Sequence, residues 1–267
     1  MTMPRCLPAF LVAGFASLSC VSFAAAQDKD SFDWLLPKPG IARQTPMVFV
    51  SPKNSAEWNQ LKTFWTPTQA DFANPNTGQK ELRQVVKVKL PLGLSEPPPV
   101  PLENPMTAER WELGRKLYFD PILSADKTVS CASCHDPKRG YTDQAAVSTG
   151  IGGLKGGVSA PTVMNSAYNP LQFWDGRASS LEEQAQGPVG NAVEMFNGDG
   201  HAWNLAVQRL RKDPEYVKAF AVAFGHAPTR DAAAKAMATY ERTVLNGNSL
   251  HDRAEQAMKT RVVEEES

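Results

Sequence analysis

The sequence predicts a mainly α protein with long loops, preceded by an irregular, Pro-rich N-terminal region. Amphipathic stretches with capping residues recur after Thr107, prolines crowd residues 27 to 102, and a Gly, Ser and Asn-rich stretch from 136 to 178 interrupts the helical pattern. At 267 residues with 42% hydrophobic composition, the chain has enough apolar side chain for a real core. Formal net charge is zero and no basic run tracks a phosphate backbone, so nucleic acid is not expected as a partner.

Residues 1 to 26, "MTMPRCLPAFLVAGFASLSCVSFAAA", carry Arg5, an apolar stretch and a closing run of alanines, the pattern of a cleaved secretory signal. A membrane anchor fits less well because Pro8 and several Ser and Gly interrupt the stretch. Cleavage would remove Cys6, Cys20 and Arg5, leaving Cys131 and Cys134 as the mature cysteines, with 27 basic against 28 acidic residues. One close cysteine pair in an exported chain is not a disulfide framework. A bacterial periplasm is the expected compartment.

Residues 27 to 102 form an N-terminal extension and Pro-rich linker. Within it "QVVKVKLPLGL" alternates so that Val86, Val88 and Leu90 share a face, the signature of one strand. "SEPPPVPLENP" then reads as extended linker. Residues 103 to 255 form the main domain, and 256 to 267 a charged, fraying tail. Thr107 caps a helix over "AERWELGRKLYF", which Asp120-Pro121 ends. The glycines of "STGIGGLKGGVSAPT" suggest a mobile loop. Ser180 and Glu183 form a capping-box pattern over "LEEQAQ". Further helices are expected over "HAWNLAVQRLRK", over "PEYVKAFAVAF" with Asp213 as cap and Pro214 at its first position, and over "DAAAKAMATYERTVL".

The chemistry lies in "TVSCASCHDPKRGYTD". Cys131 and Cys134 are spaced to add to the two vinyl groups of one haem, and His135 then supplies the proximal nitrogen to its iron. A thioredoxin-like pair would need a βαβ setting that the sequence lacks. A zinc site would need four ligands, and His201, His226 and His251 have no paired spacing with the motif.

Together "LGRKLYFDPILSADKTVSCASCHDPKRGYTD", "APTVMNSAYNPLQFWDGRASSLEEQAQGPVGNAVEM" and "TYERTVLNGNS" resemble the N-terminal haem domain of the bacterial dihaem cytochrome c peroxidase and MauG family, over roughly residues 107 to 252. The resemblance implies a c-type cytochrome fold whose first helix crosses its last, a crossing that Gly114 and Tyr240 suit. It also implies one covalently attached haem c, hydrogen peroxide as substrate, a small periplasmic electron donor such as a cytochrome c or cupredoxin, and a homodimer, which is common in the family. Glu194 matches the distal proton-transfer residue, Gln184 the distal hydrogen-bonding residue, and Trp174 the tryptophan on the electron route. Without the resemblance, a lone Glu or Gln beside a helix is usually a solvated side chain and a Trp before a turn is usually core. The apolar neighbours Val193, Met195 and Phe196 should raise the Glu194 pKa toward the working range.

Three departures from the family pattern matter. The Gly-rich loop has no histidine near Ile151, where many relatives carry one that blocks the resting iron. The sixth position is therefore open unless Met164, Met195 or His201 fills it. Ser159 stands where the family often has Asn at its calcium site, so calcium is not carried over. A second CxxCH is missing before Ser267, so one of the electrons for peroxide must come from the porphyrin, from a residue such as Trp174 or Tyr141, or from a partner. Two other readings stay open: a monohaem electron carrier without peroxidase activity, and a fragment whose second haem domain is missing.

Overall fold

The computed structural model describes residues 44–73, 78–196, 198 and 201–266. The signal sequence read at 1–26 lies outside the described residues. The remainder is mainly helical: α1 (Ser55–Gln60), α2 (Ala108–Phe119), α3 (Cys131–Cys134), α4 (Leu181–Gln184), α5 (Gly187–Gly190), α6 (Ala202–Lys212), α7 (Pro214–Phe224), α8 (Arg230–Glu241) and α9 (Leu250–Glu266). From Asp136 to Ser180 the chain makes only short 3-10 turns and bridges, the long loops that its glycines and asparagines predict.

The helix boundaries follow the capping chemistry. Thr107 Oγ1 accepts from the Arg110 amide at 3.3 Å, and Asp213 Oδ1 accepts from the Glu215 and Tyr216 amides at 2.9 and 3.3 Å, with Pro214 at the first position. Each supplies an acceptor to a helix N-terminus whose amides have none within the helix. Gly225 ends α7 at φ 78, a left-handed conformation that costs glycine nothing. Ser180 Oγ accepts from the Glu183 amide at 3.1 Å. Glu183 itself bonds the Ser179 amide and hydroxyl, each at 2.8 Å, rather than returning to Ser180.

The N-terminal region is less irregular than its prolines suggest. Strands β1 (Met47–Val50), β2 (Trp65–Ala73) and β3 (Lys80–Lys89) form a sheet in the order β1-β3-β2, parallel between β1 and β3 and antiparallel between β2 and β3. Alternation in the sequence picks out only β3, the central strand, because its buried face is continuous. Pro67 disguises β2, yet β2 is an edge strand, where a residue without an amide hydrogen is tolerated. Register sets Trp65 and Phe49 both opposite Val88, on one face of the sheet. That face packs Met47, Val86 and Val88 against Met106, Ala108 and Trp111 at the start of α2.

The C-terminal segment also gains order. Instead of fraying from residue 256, the chain continues α9 to Glu266. Ser249 and Asp252 cap it reciprocally, at 2.8 and 3.1 Å, and Glu255 lies 3.8 Å from His251 and 3.7 Å from Lys259 one turn away on either side.

The main core gathers Leu113 and Leu117 of α2, Leu210 of α6, Phe220 of α7 and Ala233 and Met237 of α8. As expected, the first helix of this domain crosses the last helix of its core. Gly114 is the contact point, but its partner is the backbone of Ala236 rather than Tyr240. A Cβ at Gly114 would stand 1.9 Å from the Ala236 carbonyl oxygen. Tyr240 instead meets Tyr118 one turn further along, with ring centroids 5.0 Å apart. Gly114→Ala is therefore expected to force α2 away from α8 and to destabilise the protein by about 2 kcal/mol or more, the upper part of the overpacking range. Urea denaturation checks it, and an unchanged midpoint would contradict the close approach.

Candidate functional site

Cys131 and Cys134 sit one turn apart on α3, both half-buried and both free thiols. Ser130 and Ser133 cap the short helix reciprocally. Burial pushes the Cys131 thiol up to about 12, with a further contribution from the charge on Glu241, and burial raises Cys134 as well. A redox-active cysteine pair needs the opposite, a depressed pKa that provides thiolate. Among the described residues, no group of three or more His, Cys, Asp and Glu side chains is placed to hold a metal ion. The raised thiols therefore weigh against a redox-active pair.

His135 ends α3. Its Nδ1 lies 3.2 Å from the Tyr141 carbonyl, which can only accept, so Nδ1 carries the hydrogen and Nε2 keeps its lone pair. Burial outweighs these hydrogen bonds and lowers the His135 pKa, favouring the neutral, ligating form. The turn that returns Tyr141 to His135 is built by Asp136, which accepts from the Lys138 amide at 2.9 Å, and by Gly140 at φ 71. Tyr118 Oη donates to the His135 carbonyl at 3.3 Å. Two neutral thiols one turn apart followed by a neutral imidazole are a donor set that fits a covalently attached haem.

Glu194 is half-buried, and its charge is felt by both cysteines. Its carboxylate accepts from Asn191 Nδ2 at 2.6 Å. Burial raises its pKa, against a smaller lowering by the Arg177 charge. The direction is the one its apolar neighbours predict. The backbone at Glu194 is held by the Gly-rich loop: the Ile151 amide donates to the Glu194 carbonyl at 3.0 Å, and a Cβ at Gly150 would stand 1.9 Å from the Val193 carbonyl oxygen. Only glycine permits that approach. The loop expected to move is joined to the Glu194 segment by that hydrogen bond, with Ile151 buried in the core.

The other sequence-identified residues are placed differently. Gln184 ends α4, half-buried, and its side-chain amide takes no partner among the described residues. Trp174 is 67% exposed, and its indole Nε1 donates to the Ser159 carbonyl at 2.9 Å. Met195 is buried in the main core, Met164 packs near Cys131 and Tyr141, and His201 stands exposed at the start of α6. Beside Asn191 opens a cleft of about 480 Å³ with Arg177, Gln186, His201, Trp203 and Arg230 on its walls. Sequence reasoning missed Asn191 and Gly150. Asn191 has a local signal, standing three residues before Glu194, whereas the role of Gly150 depends on a contact with residues more than forty positions away.

Glu241, at the end of α8, was missed for the same reason. It is 7% exposed and its charge reaches Cys131 and Tyr118. Burial pushes its carboxyl up to about 8, the Arg242 charge opposing and the Glu182 charge reinforcing. Glu182, half-buried nearby, goes the other way. Burial would raise it, but Arg242 and Asn104 hydrogen bonds and the Arg242 charge prevail.

Residues 108–260 match the family model described as di-haem cytochrome c peroxidase. Cytochrome c551 peroxidase of Pseudomonas aeruginosa is 42% identical over 152 residues, covering 56% of this chain and 43% of the relative. Cytochrome c peroxidase Ccp of Escherichia coli K12 is 39% identical over 155 residues, 58% of this chain and 33% of the relative. Methylamine utilization protein MauG of Methylorubrum extorquens is 36% identical over 188 residues, 70% of this chain and 52% of the relative. The crystal structure of a MauG-like protein associated with microbial copper homeostasis aligns with TM-score 0.57 at 33% identity, over 61% of this chain and 48% of that one. The chain thus spans about a third to a half of the length of the curated relatives it matches.

The Glu241 carboxyl makes a pH-dependent contribution. Its folded-state pKa lies above the ordinary 4.5, so the stability it confers is complete below 4.5 and is lost as pH rises toward about 8. Glu241→Gln is expected to flatten the fall in stability across that window. Urea midpoints of parent and variant at both ends of the range check this, and equal falls in both proteins would count against it.

Proposed function

The chain belongs to the di-haem cytochrome c peroxidase family, and on that footing we propose that it reduces hydrogen peroxide to water in the periplasm with electrons from a small redox protein. Cys131 and Cys134 would hold haem c through thioethers and His135 would ligate its iron. Haem supplies the redox centre at which the O–O bond is cleaved. The observation that carries the reading is Glu194, a half-buried carboxyl with a raised pKa whose charge reaches both cysteines.

Reduction of H₂O₂ to two waters consumes two electrons and two protons. Cleavage is faster when one group removes the proton from the inner oxygen and returns it to the departing outer one. Glu194 suits this task because it is half-buried and burial raises its pKa above that of an ordinary carboxyl. Asn191 fixes the carboxylate from one side, and the Gly150-Ile151 backbone fixes the main chain behind it. Gln184, with its side-chain amide unengaged, is proposed to orient the peroxide by hydrogen bonding. Trp174, exposed and tied to Ser159, is proposed as a contact for electron entry.

The periplasmic location is supported by the signal pattern of residues 1 to 26 and by the attachment of c-type haem outside the cytoplasm. Among the described residues, no helix is long and apolar enough to cross a membrane.

The ferric, haem-loaded protein is expected to show an absorption and EPR spectrum that changes on peroxide addition. A low-spin spectrum indifferent to peroxide would replace the enzyme by an electron carrier. Glu194→Gln should lower peroxide turnover by about 10²- to 10⁴-fold, the usual worth of a general acid–base group. The proton must first be accepted, so kcat/KM should rise with pH through a pKa above that of an ordinary Glu, and this limb should vanish in the variant. Stopped-flow peroxide consumption across pH measures both.

A further inference from the structure

An unbroken series of aromatic rings runs from His135 to the N-terminal sheet. Tyr118 Oη donates to the His135 carbonyl, and its ring centroid is 5.0 Å from that of Tyr240. Tyr240 stands 5.8 Å from Trp111, and Trp111 stands 4.5 Å from Trp65 of β2. Tyr141, whose carbonyl holds His135 Nδ1, joins from the side, its Oη 3.1 Å from Tyr240 Oη. Trp111 Nε1 donates to Thr243 Oγ1 at 2.7 Å.

Aromatic side chains often cluster simply because they fill cores. Two features distinguish this series. Its inner end touches the backbone of the haem-ligating motif, and Cys131 packs in the same cluster as Tyr118 and Tyr240. Its outer end, Trp65, is half-buried on a strand outside the segment that matches the family model, so the sheet adds a solvent-reaching indole to rings of the haem domain.

We propose that Trp65 and Trp111 form a close, tilted pair that gives up one electron to the haem site through Tyr240 and Tyr118, and is refilled at Trp65 by an external one-electron donor. The proposal rests on the haem attachment read above. Of the two electrons that H₂O₂ takes in becoming two waters, one leaves the tryptophan pair and the other leaves the bound haem. Two protons come from solvent, and a one-electron donor, oxidised once for each, restores both. Tyr118 and Tyr240, with ring centroids 5.0 Å apart, serve as the bridge. The missing charge then comes to rest on the indoles, and Trp111 keeps its N–H on Thr243. This route is separate from Trp174, which is tied to Ser159 on the surface.

The test begins with the haem-loaded protein, grown with ring-deuterated tryptophan, mixed with peroxide and freeze-quenched for EPR. A radical signal narrowed by the deuteration is expected, lost in Trp65→Phe and Trp111→Phe and kept in Trp174→Phe. A signal that survives both substitutions, or that disappears with Trp174→Phe, overturns the proposal. The phenylalanine variants retain a ring, and circular dichroism verifies their folding. A second measurement needs no peroxide. A ruthenium polypyridyl label on Lys62→Cys, exposed three residues before Trp65, is flashed and quenched to oxidise the ferrous haem. Oxidation is expected to slow by about tenfold in Trp65→Phe and in Trp111→Phe, equivalent to about 1.4 kcal/mol of barrier. Unchanged rates overturn the relay. If peroxide leaves the protein unaltered while the flash experiment shows the slowing, the peroxidase reading fails and the relay stands.

Discussion

The close passage of α2 over α8 at Gly114 and Ala236 is the constraint on which the remaining packing depends. Backbone meets backbone there, with no room for one methyl group. That approach brings Leu113 and Leu117 onto Ala233 and Met237, and it brings Tyr118 against Tyr240, directly behind the cysteine helix. Around the crossing, a buried polar network fixes its angle. Asn104, fully buried, donates to Glu182 Oε1 at 2.7 Å and to the Lys235 carbonyl at 3.0 Å, and accepts from Arg110 at 3.1 Å. Glu182 and Arg242 pair at 2.8 Å, and Arg242 reaches the Pro99 carbonyl at 3.0 Å. Removing either partner of such a pair leaves a buried charge without compensation, at a cost of about 3–5 kcal/mol. The network therefore specifies one arrangement of α2, α4, α8 and the linker more than it adds net stability.

Three carboxyls of this domain show how surroundings assign roles to one side-chain type. Glu182 has an arginine and an asparagine and stays ionised. Glu194 has one asparagine and a weaker influence from Arg177, and burial raises it. Glu241 is driven furthest, in a setting that also lifts Cys131. Burial that raises both thiols and lowers the His135 imidazole suits a covalently attached haem, and the raised Glu194 carboxyl suits the proton transfer proposed for it.

The N-terminal sheet adds a component that the family-matched segment does not contain. Its apolar face covers Trp111 and Ala108 at the beginning of α2, so the helix that carries Gly114 is buried on two sides. Sheet and haem domain share one aromatic series, in which Trp65 is opposite Val88 in the register of the sheet and 4.5 Å from Trp111. A region that composition marks as linker thereby becomes a wall of the domain.

Much of this was legible in the sequence because it is local. The caps at Thr107, Ser180 and Asp213, the central strand through Val86, Val88 and Leu90, the CxxCH spacing and the apolar neighbours of Glu194 each act within a turn or two, where residue type and spacing decide the geometry. The rest depends on contacts between distant positions. Pro67 conceals a strand that is allowed because it lies at an edge, and pairing with β3 makes it one. Gly150 fits against Val193, Tyr118 reaches His135, and Trp65 meets Trp111 only after the helices cross and the sheet docks. By itself the sequence determined the CxxCH spacing and the helices α2, α4, α6, α7 and α8. Tertiary structure decided which carboxyl is paired, which is lifted and which rings touch, because burial and charge at a side chain are set by neighbours far along the chain.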